Sequence, residues 1–192
     1  TAFAENLSDI NANKNQTAIE YLYSKNVISG YPDGTFKPEN TVNRAELMKI
    51  LVAGKGIQPT VEEYNNCFPD VTTEWFAPFV CYAKIKGWVS GYPDGTFQAA
   101  KQVNKAEAIK MLVNAEGFAL PQKFDEYIFN DVTSTNWFAP FILVAKQKGL
   151  LEETDGNYYP SGVMKRAEIS ENIYRAIIIN ENGFQAFLQN KN

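Results

Sequence analysis

One interval, 61 residues, recurs along this 192-residue chain and limits what it can fold into. Asp9, Asp70 and Asp131 keep it, as do the turns Asp33-Gly34, Asp94-Gly95 and Asp155-Gly156. Arg44-Ala45-Glu46, Lys105-Ala106-Glu107 and Arg166-Ala167-Glu168 follow the same register. A unit this short cannot bury a core alone, so the copies must pack on one another. The boundaries fall at 1–60, 61–121 and 122–180, followed by a polar tail over 181–192.

Each copy reads as helix, turn-rich loop, helix. Phe76, Phe79, Val80 and Ala83 are spaced as one helical face, and Phe138, Phe141, Ile142 and Ala145 repeat it. Ala18, Ile19, Leu22 and Tyr23 serve the first copy, and Trp75 and Trp137 open the first helices of the other two. Asn26, Gly87 and Gly149 stand where a left-handed residue ends a helix. Next comes Gly30-Tyr-Pro-Asp-Gly-Thr-Phe36, repeated verbatim from Gly91 to Phe97; Pro presets the turn and Asp-Gly supplies the positive φ. The third copy, from Glu153 to Tyr158, loses the first Gly, the Tyr and the Pro.

The second helix opens on Asn43-Arg-Ala-Glu46 and again on Asn104-Lys-Ala-Glu107, the pattern of a capping box. Lys165-Arg-Ala-Glu168 keeps only the Glu. Ala45, Met48, Leu51 and Val52 give this helix a buried face, matched by Ala106, Ile109, Leu112 and Val113. Linkers run over 56–66 and 117–127. The expectation is an all-α protein of three helix–loop–helix units. Closure into a pseudo-threefold is preferred to a linear stack, which usually carries dedicated capping repeats.

Composition points from catalysis toward binding. The chain has no histidine, which removes the commonest general base and metal ligand and every Ser-His or Cys-His pair. With two cysteines and no histidine, a Cys/His zinc site cannot be assembled. Glu62-Glu63 and Glu152-Glu153 are adjacent pairs, and neighbours in sequence do not face each other across a glycosidic bond. No cofactor and no catalytic residue is expected. A formal charge of −4 gives no general attraction for nucleic acid, and no apolar run is long enough for a membrane span. Thr1–Asn6 lack the pattern of a secretion signal, as expected of a chain whose leader has been processed or left out.

The most informative candidates are the cations Arg44, Lys105 and Arg166. Capping explains the Asn and Glu around them, but the helix dipole disfavours a cation in the first turn by roughly 0.3–1 kcal/mol. Retention in all three copies points to recognition of an anion, with helix amides alongside. The competing reading is an ion pair with a carboxylate such as Asp9 or Asp70. Trp75 and Trp137 are core anchors or faces for a sugar ring. Gly30 and Gly91 serve the turn or admit a ligand to the backbone, and Tyr31 and Tyr92 offer a ring or a hydroxyl.

These segments resemble three tandem S-layer homology motifs. Phe-Pro-Asp-Val, Trp-Phe-Ala-Pro, Gly-Tyr-Pro-Asp-Gly-Thr-Phe and Asn-Arg-Ala-Glu carry the likeness, over residues 4 to about 179. The resemblance implies a three-pronged pseudo-trimer that anchors exported proteins at the cell surface. Its ligand would be a secondary cell wall polymer, often bearing pyruvylated N-acetylmannosamine, held in grooves between motifs. The implied binding residues are Arg44, Lys105 and Arg166, the early acids Asp9, Asp70 and Asp131, Trp75 and Trp137, and Gly30 and Gly91. Lys105 lacks the bidentate geometry of Arg, so its groove is expected to bind more weakly.

In this light Cys67 and Cys81, which occur together and only in the second copy, read as a local disulfide of an exported protein. Such a bridge would contribute roughly 3 kcal/mol in the chain-entropy model. The partners implied are the wall polysaccharide and a passenger or S-layer domain. The alternative is a protein-interaction or self-assembly module of the cell envelope.

Overall fold

Two helices form in each copy: α1 (Gln16–Ser24) and α2 (Arg44–Gly54), α3 (Ala77–Ile85) and α4 (Lys105–Glu116), α5 (Ala139–Gln147) and α6 (Arg166–Asn182). The structure is a computed structural model and describes residues 7–124, 128–152, 154–183 and 187. Glu153, Tyr127 and most of the tail from 184 onward therefore lie outside the described residues. Among the described residues the only β pairings are isolated bridges, so the all-α expectation holds.

The helix starts differ slightly from expectation. α3 and α5 begin at Ala77 and Ala139, two residues after the tryptophans, with Pro78 and Pro140 in the first turn. Proline is accepted there because its missing N–H has no helical partner to lose. Each indole is left on the preceding loop. The capping boxes form as expected at Asn43 and Asn104, while at Lys165 only the Glu half is made, the Lys165 amide donating to the Glu168 carboxylate. Asn26, Gly87 and Gly149 all take positive φ at the ends of the first helices.

The packing pairs are offset from the sequence repeat. α2 packs on α3, α4 on α5 and α6 on α1, so each second helix pairs with the first helix of the following copy. α2, α4 and α6 also touch one another. That is why their buried surface is wider than a single face: Leu47, Ile50 and Ala53 are buried together with Ala45, Met48, Leu51 and Val52.

Backbone hydrogen bonds join the copies in a cycle. The Val42 N–H donates to the Met164 carbonyl (3.0 Å), Val103 to Val42 (3.1 Å) and Met164 to Val103 (2.9 Å). All three side chains are fully buried. The first amides of each second helix then donate to the loop of another copy: Arg44 to Lys101, Lys105 to Gly162 and Arg166 to Asn40. These bonds satisfy helix ends that would otherwise need water or a ligand.

Cys67 and Cys81 are disulfide-bonded, with Cα atoms 5.3 Å apart, and tie the start of the second copy to α3. A less favourable feature sits before α1. Asn15 precedes it where Phe76 and Phe138 precede the other first helices, and both polar atoms of its buried side chain lack a partner. Burying an unsatisfied amide costs about 1–3 kcal/mol. Asn15→Leu is expected to raise stability by about that amount in urea denaturation.

Candidate binding grooves between the repeats

Each basic residue reaches a loop of a different copy, and three grooves result. In the first, Arg166 of α6 meets the first copy's loop. Its Nε donates to the Phe36 carbonyl (2.9 Å) and its Nη2 to the Ser29 carbonyl (2.9 Å). The guanidinium lies 4.3 Å from the Phe36 ring centre and 5.0 Å from that of Tyr31. Gly30, Tyr31, Glu46, Lys49 and Trp75 line the same cavity of about 200 Å³.

The second groove repeats this one copy further on. Arg44 of α2 donates from Nε to the Phe97 carbonyl (2.8 Å), and its guanidinium lies 4.6 Å from the rings of both Tyr92 and Phe97. Gly91, Tyr92, Glu107, Lys110 and Trp137 complete a cavity of about 130 Å³. Trp75 and Trp137 are 58% and 57% exposed, so they are walls of the grooves and not core anchors. Each faces a lysine: Lys49 Nζ is 5.9 Å from Trp75, and Lys110 Nζ is 5.4 Å from Trp137.

Electrostatics separates these two grooves from the third. Neither Arg44 nor Arg166 has a carboxylate within ion-pair distance among the described residues. Burial lowers the pKa of both, against the pull of Tyr92, Glu107 and Asp70 on Arg44 and of Tyr31, Glu46 and Asp9 on Arg166. Both stay charged at neutral pH, because guanidinium is not deprotonated in proteins. In the third groove Lys105 Nζ sits 2.6 Å from Glu168, and Lys14 pairs with Glu152 at 3.2 Å. Lys14 occupies the place of the tryptophans, two residues before its helix, and Leu151, Thr154, Tyr158 and Asn172 fill the remainder. The ion-pair reading of the basic residue thus holds for Lys105, and with Glu168 as partner in place of an aspartate.

The three early aspartates hold the loops that face the cations. Asp9 accepts the amides of Phe36 and Lys37 (2.7 and 2.7 Å), Asp70 those of Phe97 and Gln98 (2.8 and 2.7 Å), and Asp131 those of Tyr158 and Tyr159 (2.8 and 2.7 Å). Both oxygens of each carboxylate help to hold the loop that faces the cation. The first two amides of each second helix are bonded to loops of another copy, and the Glu46 and Glu107 amides to their Asn caps.

The loop glycines, which line these grooves, also leave no room for a side chain. A Cβ on Gly30 would come within 2.6 Å of the Leu7 side chain, and one on Gly91 within 2.8 Å of the Thr96 carbonyl. Gly91 also has φ +76°, which strains any L side chain. Gly91→Ala is expected to cost about 1–3 kcal/mol in thermal or urea unfolding, where Gly34→Ala, with open space around it, costs less. In the adjoining turn Thr35 holds the Asp33 carboxyl near pKa 2 through its hydroxyl, helped by Lys37. That stabilising contact is complete above the ordinary Asp value and is lost only as pH falls through about 2.

Lys49, Lys110 and Lys14 escaped the sequence reading. Lys49 and Lys110 keep the 61-residue interval, one turn into α2 and α4, and that register was the available signal. The third copy has Glu171 at this position, bonded to Arg175 at 2.7 Å.

Among the described residues these three grooves form where one repeat meets another, the arrangement of a repeat-assembled domain. The S-layer homology domain model matches residues 6–48, 68–109 and 128–169, and the chain belongs to that family. It is 32% identical over 129 residues to Cell surface glycoprotein 1 of Acetivibrio thermocellus, which covers 62% of this chain and 6% of that one. Surface layer protein of Brevibacillus choshinensis is 33% identical over 106 residues, 54% of this chain and 10% of its own. Cellulosome-anchoring protein of A. thermocellus is 31% identical over 100 residues, 50% of this chain and 22% of its own. The chain therefore matches under a quarter of the length of each of these relatives.

Proposed function

We propose that this chain is a non-catalytic wall anchor. It closes into a three-pronged pseudo-threefold and grips an anionic secondary cell wall polymer in the grooves between its motifs. The observation that carries this reading is a pair of arginines, Arg44 buried and Arg166 partly buried, whose guanidiniums have no ion-pair partner among the described residues. An unpaired buried cation is costly, and an anionic group on a ligand relieves it with charge-assisted hydrogen bonds. Each of these grooves is lined by two cations and one carboxylate, Arg166 and Lys49 with Glu46 in the first and Arg44 and Lys110 with Glu107 in the second. Trp75 and Trp137 then offer exposed faces to the apolar side of a sugar ring.

A pyruvyl ketal on N-acetylmannosamine supplies one carboxylate fixed to one sugar, the chemistry these two features ask for together. The relatives named as surface-layer and anchoring proteins support placement of this chain at the cell surface, where it would tether an S-layer or other exported passenger. The third groove, whose lysines are already paired with Glu152 and Glu168, contributes little to anion binding.

Calorimetric titration with a pyruvylated wall disaccharide, beside its pyruvate-free counterpart, tests the mechanism. The pyruvylated form is expected to bind at least about tenfold more tightly, the worth of one charge-assisted bond. Equal affinity for the two would remove carboxylate recognition.

A further inference from the structure

The first and second grooves differ in one covalent respect. Trp75, the wall of the first groove, lies inside the loop closed by the Cys67–Cys81 disulfide. Trp137, the wall of the second, lies in a loop whose corresponding residues, Ile128 and Leu143, are buried apolar side chains. Other supports of the two loops match. Lys84 donates to the Cys67 carbonyl and Lys146 to that of Ile128. Val71 and Val132 amides return to the carbonyls of Phe68 and Phe129, and each loop is capped from within, by Glu74 and by Asn136.

Neither indole is fixed by burial. Trp75 is 58% exposed and touches Phe76 edge-on, as Trp137, at 57%, touches Phe138. Its position therefore follows the backbone of its loop. In the second copy that backbone is held at one end by the two amide bonds to Asp70 and at the other by the start of α3. The disulfide joins the segment just before Asp70 to the middle of α3, so it fixes those two ends relative to each other. The third-copy loop has one more residue between its aspartate and its tryptophan, and no such tie.

From this geometry we propose that the Cys67–Cys81 disulfide is a positioning device for the first groove. It holds Trp75 ready for the sugar and makes that groove's affinity, but not the second's, sensitive to thiol reduction. The inference rests on the grooves being the polymer site and adds a redox dependence to one of them. Ordering a loose loop on binding lowers affinity by about two- to tenfold per immobilised large side chain.

The test uses the whole chain with one groove disabled at a time. Arg44→Met leaves the first groove and Arg166→Met leaves the second, and each is titrated with the methyl glycoside of pyruvylated N-acetylmannosamine, oxidised and reduced. Reduction is expected to weaken binding by about two- to tenfold in the Arg44→Met protein and by less than about 1.5-fold in the Arg166→Met protein. Cys67→Ile with Cys81→Leu, which copies the third copy's packing, is expected to reproduce the selective loss without reductant. Hydrogen exchange gives a readout independent of ligand: loss of the tie is expected to speed exchange over 68–77 and leave 129–138 unchanged. Unchanged exchange over 68–77, or equal loss of affinity in both grooves, would overturn the proposal. Failure of the oxidised proteins to bind the glycoside at all, with exchange altered as expected, would instead count against the grooves as the polymer site.

Discussion

Replacing Arg44 and Arg166 together by methionine is expected to abolish capture of pyruvylated polymer, while Lys105→Met changes it by less than about twofold. Removing one partner of a desolvated, charge-assisted bond costs roughly 2–3 kcal/mol, about 30- to 150-fold per groove. Methionine is the informative replacement, because Arg44 is only 3% exposed and its side chain packs against Tyr92 and Phe97. Alanine would add a cavity to the loss of charge and confuse binding with stability. Lys105 is the internal control: the same register and the same helix turn, but already neutralised by Glu168 at 2.6 Å. Titration with wall fragments, with far-UV circular dichroism to show that the helices persist, checks all three variants.

The second large effect falls on Asp70→Ala. One carboxylate holds two successive loop amides, those of Phe97 and Gln98, and the Phe97 carbonyl in turn anchors Arg44 at 2.8 Å. Hydrogen bonds to a charged group are worth about 1.5–3 kcal/mol each, and exposure of the Asp70 side discounts them, so a loss of about 2–4 kcal/mol is expected. Asp70→Asn, which keeps one acceptor oxygen, is expected to lose about half. Urea denaturation measures both. Affinity in the second groove is expected to fall further than in the first, because this loop anchors its Arg44 directly through the Phe97 carbonyl.

Those two variants also mark where sequence reasoning stopped. The capping boxes at Asn43 and Asn104 and the Asp-Gly turns were legible because every group involved lies within four residues. Arg44 and Arg166 stood out because a cation in the first helical turn has no local explanation. Their partners were invisible: the accepting carbonyls lie 53 and 130 residues away, on a loop of another copy. The same non-local pairing hid the offset between packing units and sequence repeats, since nothing local shows that α2 turns back onto α3.

The aspartates have a structural reason to recur. Asp9, Asp70 and Asp131 recur because each copy needs the same two loop amides tied down, and recurrence alone cannot tell a staple from a ligand contact. Gly30 and Gly91 follow the same logic, since Leu7, Phe68 and the loop carbonyls leave no space for a Cβ. Lys14 illustrates a third limit. It fills the place of a tryptophan, and only the pairing with Glu152 reveals that the third groove has become a clasp between the first and last copies.

Arginines without an ion-pair partner, and not the repeat as such, are expected to make a groove a binding site. Stoichiometry tests this most directly: titration of the intact, oxidised chain with the methyl glycoside of pyruvylated N-acetylmannosamine, followed to saturation by calorimetry or native mass spectrometry. Two molecules per chain are expected, one beside Arg166 and Trp75 and one beside Arg44 and Trp137. Three molecules of similar affinity, or one retained after Arg44→Met with Arg166→Met and lost after Lys105→Met, would contradict the account.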